Sequence, residues 1–213
     1  MLTMWIILAI LTIIHLVLCF FVVEKYRKIT KVMLLPILII ILIVGKCTSP
    51  LLYLALFFGW IGDILLISNS KKIFTIGTAS FAIGHVFYLV FIISGLISSL
   101  KAQGQNIPYI PYIIGTVIFA IIFFIVASSI LKKSVGYMAY VGAFYFILLI
   151  LELFFSILAG KPLLALGFAL FIISDATLST TKFFKKIPRE DFYVMATYVS
   201  AQSLIIASLL SLI

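Results

Sequence analysis

Charge is scarce in this sequence. Of 213 residues, 10% are charged and 65% are hydrophobic, and only six are acidic. A water-soluble domain cannot hide so much apolar surface, so that class is excluded. There are two cysteines, Cys19 and Cys47, which supply neither metal-ligand spacing nor a disulfide framework. No glycine-rich phosphate loop, HExxH or GxSxG occurs, which removes those nucleotide, zinc-hydrolase and serine-hydrolase signatures. No polar stretch is long enough to form a soluble domain between the apolar runs.

What remains is a near-continuous series of apolar segments. A helix needs about 20 mostly apolar residues to cross the hydrocarbon core. Eight such segments are expected, at roughly 2–23, 30–45, 50–67, 73–97, 109–131, 136–158, 162–181 and 192–213. They are too long for spanning strands and do not alternate in polarity. The expected fold is an all-α integral membrane protein, eight transmembrane helices in one bundle, forming a single domain over residues 1–213. The first segment lacks a basic start and a small-residue cleavage site, so it is expected to be a retained span.

The formal charge of +9 is unevenly distributed. Basic residues follow segments one (Lys25, Arg27, Lys28, Lys31), three (Lys71, Lys72), five (Lys132, Lys133) and seven (Lys182, Lys185, Lys186, Arg189). The other side holds Lys46, Lys101 and Lys161. The positive-inside rule then places the basic loops in the cytoplasm and both termini outside a cell membrane. Contact with anionic lipid headgroups accounts for the basic balance, and no nucleic-acid partner is expected.

Three acids lie within the apolar segments: Asp63 in "FFGWIGDILLI", Glu152, and Asp175 in "LFIISDATL". A central aspartate costs about 2.5–3.5 kcal/mol on insertion scales, so such a residue faces a bundle interior or a wet cavity. Segments three and seven run in the same direction. Each aspartate is expected roughly 6–9 Å below the cytoplasmic edge, from the helical rise per residue. Two carboxylates at one depth in a low dielectric do not both ionise easily, so one is expected to hold a proton. Phe81, His85 and Tyr88 share one helix face at i, i+4, i+7. Tyr145, Glu152 and Ser156 share another, and Tyr198 and Gln202 stand at i, i+4. The aspartates also stand 112 residues apart, in similar short motifs, suggesting a faint repeat of two four-helix halves.

Each of these residues has a plainer reading. The aspartates can fix helix packing through Ser, Tyr or backbone partners. His85 is equally well a packing histidine. Glu152 sits in the outer half of its segment, at a different level from the aspartates. His15 reads as structural, and Gly59, Gly62, Gly84, Gly142 and Gly167 as close-packing positions.

Four blocks in order, "ALFFGWIGDILLI", "FTIGTASFAIGHVFYL", "GFALFIISDATLSTTKF" and "ATYVSAQSLI", resemble those of the YhhN-like lysoplasmalogenase family. The resemblance implies hydrolysis of the vinyl-ether bond of lysoplasmalogens to a fatty aldehyde and a glycerophospho-ethanolamine or -choline. It points to Asp63, Asp175 and His85 as catalytic. The residues expected to bind substrate are Lys31, Trp60, Tyr88, Glu152, Tyr198 and Gln202, with Lys31 as the phosphate contact. The family often opens its second span with Lys-Pro, and here Lys31 is followed by Val32. The expected partner is a single-chain phospholipid within the membrane, and neither metal nor cofactor is expected. Membrane-embedded acids and a histidine also build proton-coupled transporters and lipid-binding proteins, the alternative reading. Acids near one membrane face favour the hydrolase, because transport sites lie near the midplane.

Overall fold

The computed structural model describes residues 1–68, 70–102, 121 and 138–211. These residues form seven helices and no strand: α1 (Leu2–Phe20), α2 (Glu24–Val44), α3 (Pro50–Leu65), α4 (Lys71–Ala102), α5 (Met138–Leu158), α6 (Pro162–Phe183) and α7 (Glu190–Leu210). The expected span at 109–131 lies outside the described residues. Five helices, α1, α4, α5, α6 and α7, are long and apolar enough to cross a membrane. The chain is accordingly a multi-pass helical membrane protein.

Helix is the structure that such segments demand, because lipid offers no partner for backbone N–H and C=O groups. Polarity is arranged inside out. Glu152 is 0% exposed and Asp63 and His85 are each 2% exposed, whereas Ile13 and Ile157 are above 60%. Pro50 and Pro162 open α3 and α6, where a missing N–H costs nothing and the fixed φ suits the first turn.

Several boundaries differ from expectation; α4 runs from Lys71 to Ala102 and so takes in Lys71, Lys72 and Lys101, residues expected in loops. The basic run Lys25–Lys31 is not a loop but the first two turns of α2, which starts at Glu24. A three-residue turn containing Val22 at φ +58° joins α1 to α2. Glu24 in its first turn suits the positive end of the helix dipole. Likewise Glu190 and Asp191 form the first turn of α7 instead of a loop, where acidic side chains suit the positive end of the helix dipole.

The most extensive helix pairings are α3 with α4 and α6 with α7. α5 touches α4 and α6, α2 touches α1 and α3, and α7 returns against α1 and α2. The two main pairs are built alike. A Cβ on Gly84 of α4 would stand 2.8 Å from the carbonyl oxygen of Ala55 in α3. A Cβ on Gly167 of α6 would stand 3.2 Å from the carbonyl oxygen of Ala201 in α7 and 2.8 Å from Ile205. The spacing from Ala55 to Gly167 equals that from Asp63 to Asp175. Serine bonds tie each pair further along: Ser80 Oγ donates to Phe58 O at 2.7 Å, and Ser174 Oγ to Val194 O at 3.0 Å.

α2 carries an internal proline. Pro36 has no N–H to give the carbonyl of Val32, four residues earlier. Trp60 Nε1 of α3 donates to that oxygen at 2.9 Å.

Candidate active site

Asp63 lies in the last turn of α3 and Asp175 in the C-terminal half of α6. Both line one narrow cleft of about 70 Å³, together with Lys31 of α2, Tyr145 of α5, Ser174 of α6 and Tyr198 of α7. Phe81, Phe146 and Leu178 contribute to its apolar wall.

Each aspartate accepts a hydrogen bond from a phenol on another helix. Tyr198 Oη donates to Asp63 Oδ2 at 2.8 Å, and Tyr145 Oη donates to Asp175 Oδ2. The second oxygen of Asp63 faces Lys31 Nζ at 3.5 Å. Asp175 has no ion pair among the described residues. Charge is therefore distributed unequally: each carboxylate accepts from a neutral phenol, and Asp63 faces an ammonium as well.

Of the nine residues expected at the site, the structure brings four to the cleft wall: Lys31, Asp63, Asp175 and Tyr198. The remaining five lie elsewhere. His85 Nδ1 and Glu152 Oε2 are 2.7 Å apart, wholly inside the bundle. The His85 ring packs on Phe171 at 4.6 Å and on Tyr145 at 5.4 Å, so the pair forms a layer behind the cleft. Glu152 Oε1 has no hydrogen-bond partner among the described residues. Tyr88 Oη donates to Gln202 Oε1 at 3.1 Å, also buried away from the wall. Trp60 is the clamp on the α2 proline described above. A tryptophan one turn from an aspartate looks like a substrate contact in sequence, but the orphan carbonyl left by Pro36 claims its N–H.

Among the cleft residues that sequence reasoning does not place at the site are Tyr145 and Ser174, with Thr75, Thr78 and Ser179. Tyr145 was visible as a polar group on the Glu152 face. The additional signal is that an intramembrane phenol needs an acceptor, and a carboxylate on a neighbouring helix is the obvious one.

Next to the cleft lies a second, charged cavity of about 200 Å³, and Lys31, Leu66, Phe74 and Leu178 line both. Arg27 of α2 pairs there with Asp191 of α7, and Lys28 with Glu24 at 3.5 Å. His15 of α1 is fixed beside this cavity, its Nδ1 2.7 Å from Thr30 Oγ1 and its Nε2 3.5 Å from Cys19 Sγ. That placement fits the structural reading of His15. Among the described residues no three His, Cys, Asp or Glu side chains gather closely enough to hold a metal ion.

An all-helical bundle with two aspartates facing one internal cleft defines a polytopic membrane protein with an intramembrane polar site. The sequence model of the YhhN family matches residues 26–209, most of the chain, and the protein belongs to that family. No curated protein and no solved structure matches it.

Proposed function

We propose that the protein hydrolyses the vinyl-ether bond of a lysoplasmalogen within a cell membrane, using Asp63 and Asp175 as base and acid. The observation that carries this reading is the pair of carboxylates, from two different helices, on the wall of one cleft whose neighbouring cavity is rich in basic residues. The topology that goes with it has eight spans, counting one over 109–131, with the basic loops cytoplasmic and both termini outside.

The unequal partners suggest the roles. Asp175, beside the neutral Tyr145, carries the proton and delivers it to the alkene carbon one removed from the ether oxygen. An oxocarbenium ion forms at the carbon bearing the oxygen. Asp63, held ionised beside Lys31, stabilises this cation and takes a proton from the attacking water. As the resulting hemiacetal collapses, Asp63 returns its proton to the departing glycerol oxygen, and the hemiacetal hydroxyl reprotonates Asp175. Protons balance over the cycle, and water is the sole co-substrate. Tyr145 and Tyr198 hold the two carboxylates in place. The products are a fatty aldehyde, which stays in the apolar phase, and a water-soluble glycerophospho-compound.

His85 belongs to this proposal as a supporting group. Its imidazole packs against Tyr145, the donor to Asp175, so it orients the acid from behind. The test is incubation of the purified full chain with a lysoplasmenyl lipid and detection of released aldehyde. A chain that releases none, while Asp63→Asn abolishes proton-driven solute uptake in vesicles, would make the transporter reading the better one.

A further inference from the structure

The charges around the second cavity do not cancel evenly. Three of its cations are matched: Arg27 by Asp191, Lys28 by Glu24, and Lys31 by Asp63. Lys182 is not. Its ammonium lies 5.3 Å from the ring centroid of Phe74, and no carboxylate comes within salt-bridge distance among the described residues. Glu190, on the same cavity, likewise has no cationic partner among the described residues. An ammonium and a carboxylate thus line one cavity without pairing to each other. Phe74 lines both this cavity and the cleft, so Lys182 stands where the two meet. Lys182 is also in the last turn of α6, where a cation is favoured by the helix dipole.

We infer that this cavity is the headgroup subsite for a zwitterionic phosphodiester, with Lys182 holding the phosphate and Glu190 the ammonium. The inference rests on the reading of the cleft as a lysophospholipid site. It moves the phosphate contact away from Lys31, whose amine faces Asp63. A lipid whose sn-1 linkage lies between the two aspartates has its phosphate one glycerol away, and Phe74, beside which Lys182 stands, lines both the cleft and this cavity. A phosphate needs an uncommitted cation, and a quaternary or primary ammonium needs an uncommitted anion. A ligand carrying both satisfies Lys182 and Glu190 together, whereas a simple anion leaves Glu190 unmatched.

The experiment measures equilibrium binding of two non-cleavable ligands to the detergent-solubilised full chain. One is a saturated 1-O-alkyl lysophosphoethanolamine. The other is its phosphate monoester analogue, which lacks the ammonium. Lys182→Gln is expected to weaken both by roughly ten-fold, the loss of one charge-assisted contact, with Lys182→Arg recovering most of it. Glu190→Gln is expected to weaken only the ammonium-bearing ligand. Lys185→Gln, just past the end of α6 and outside the cavity, should leave both unchanged. Wild-type affinity in Lys182→Gln would overturn the phosphate assignment. Equal losses in Lys185→Gln would overturn it too, because they would mark general attraction to a basic surface. Equal losses for both ligands in Glu190→Gln would overturn the ammonium assignment. Tight, Lys182-dependent binding without aldehyde release from a vinyl-ether lipid would support the subsite and defeat the hydrolase.

Discussion

Replacing either aspartate with asparagine separates catalysis from packing. The amide keeps the side chain's size and still offers an oxygen to the phenol, so the Tyr198 bond at position 63 and the Tyr145 bond at position 175 both survive. At position 63 the loss is the charge facing Lys31 Nζ at 3.5 Å. The Lys31 side chain is 20% exposed and borders the charged cavity, so its ammonium can turn to water; the structural cost is about 1 kcal/mol or less. Removing the proton donor or acceptor should instead lower kcat by at least about 10²-fold, the lower end for general acid–base catalysis. Asp63→Asn with Asp175→Asn should cost little more than the worse single variant, because groups that act as a unit are not additive. The assay is aldehyde release per folded molecule, alongside a melting temperature for each variant. Poor folding with wild-type turnover in the surviving molecules would refute the catalytic assignment and leave the aspartates as packing residues.

Lys31→Ala should lower kcat more than it raises KM, because its amine stands beside the proposed base and not beside a remote phosphate; a change confined to KM would return Lys31 to a binding role. Trp60→Phe should destabilise the protein by about 1–3 kcal/mol by orphaning the Val32 carbonyl, while activity per folded molecule stays near wild type; a large kcat defect with normal stability would place Trp60 at the substrate. Single cysteines introduced after Lys72 and after Lys186 should label from the cytoplasm only, and labelling from outside would reverse the topology.

Helical class and the approximate place of seven segments follow from apolar runs, because lipid leaves the backbone one local solution for each. Where the helices begin is less legible. Hydropathy falls where charge appears, but α2 and α7 begin among charged residues, so their starts read as loops. Asp63 and Asp175 were legible because a carboxylate in an apolar run is costly and needs a reason. Tyr198 was legible from its spacing with Gln202, yet the two diverge: Tyr198 reaches Asp63 and Gln202 reaches Tyr88. Periodicity gives a shared helix face, but partners depend on the neighbouring helix, which one sequence does not display. The same limit explains Glu152. Its cost in the membrane marks it as important, while its commitment to His85 is a contact between α4 and α5 that no local pattern encodes.

The likeness of the two main helix pairs gives a physical reason for the cleft's position. Ala55 and Gly167, the small residues at the closest approaches, each stand eight residues before an aspartate. Eight residues advance a helix by about 12 Å. The helices of each pair stay close over that distance: Ser174 Oγ of α6 still reaches Val194 O of α7 at 3.0 Å, and a Cβ on Gly77 of α4 would stand 3.3 Å from Leu65 Cβ of α3. Small residues along the contact keep each pair tight up to its aspartate, and both carboxylates face the cleft from there. A larger side chain at Gly167 has no room, since its Cβ alone would fall 2.8 Å from Ile205. Gly167→Val should therefore push α6 from α7 and lower stability by about 1–3 kcal/mol, as overpacking does. It should also lower kcat about 10²-fold in the molecules that still fold, because a shift of about 1 Å in a positioned group has that effect. Unchanged kcat in a destabilised Gly167→Val protein would show that the crossing holds the bundle together without setting the distance between the aspartates.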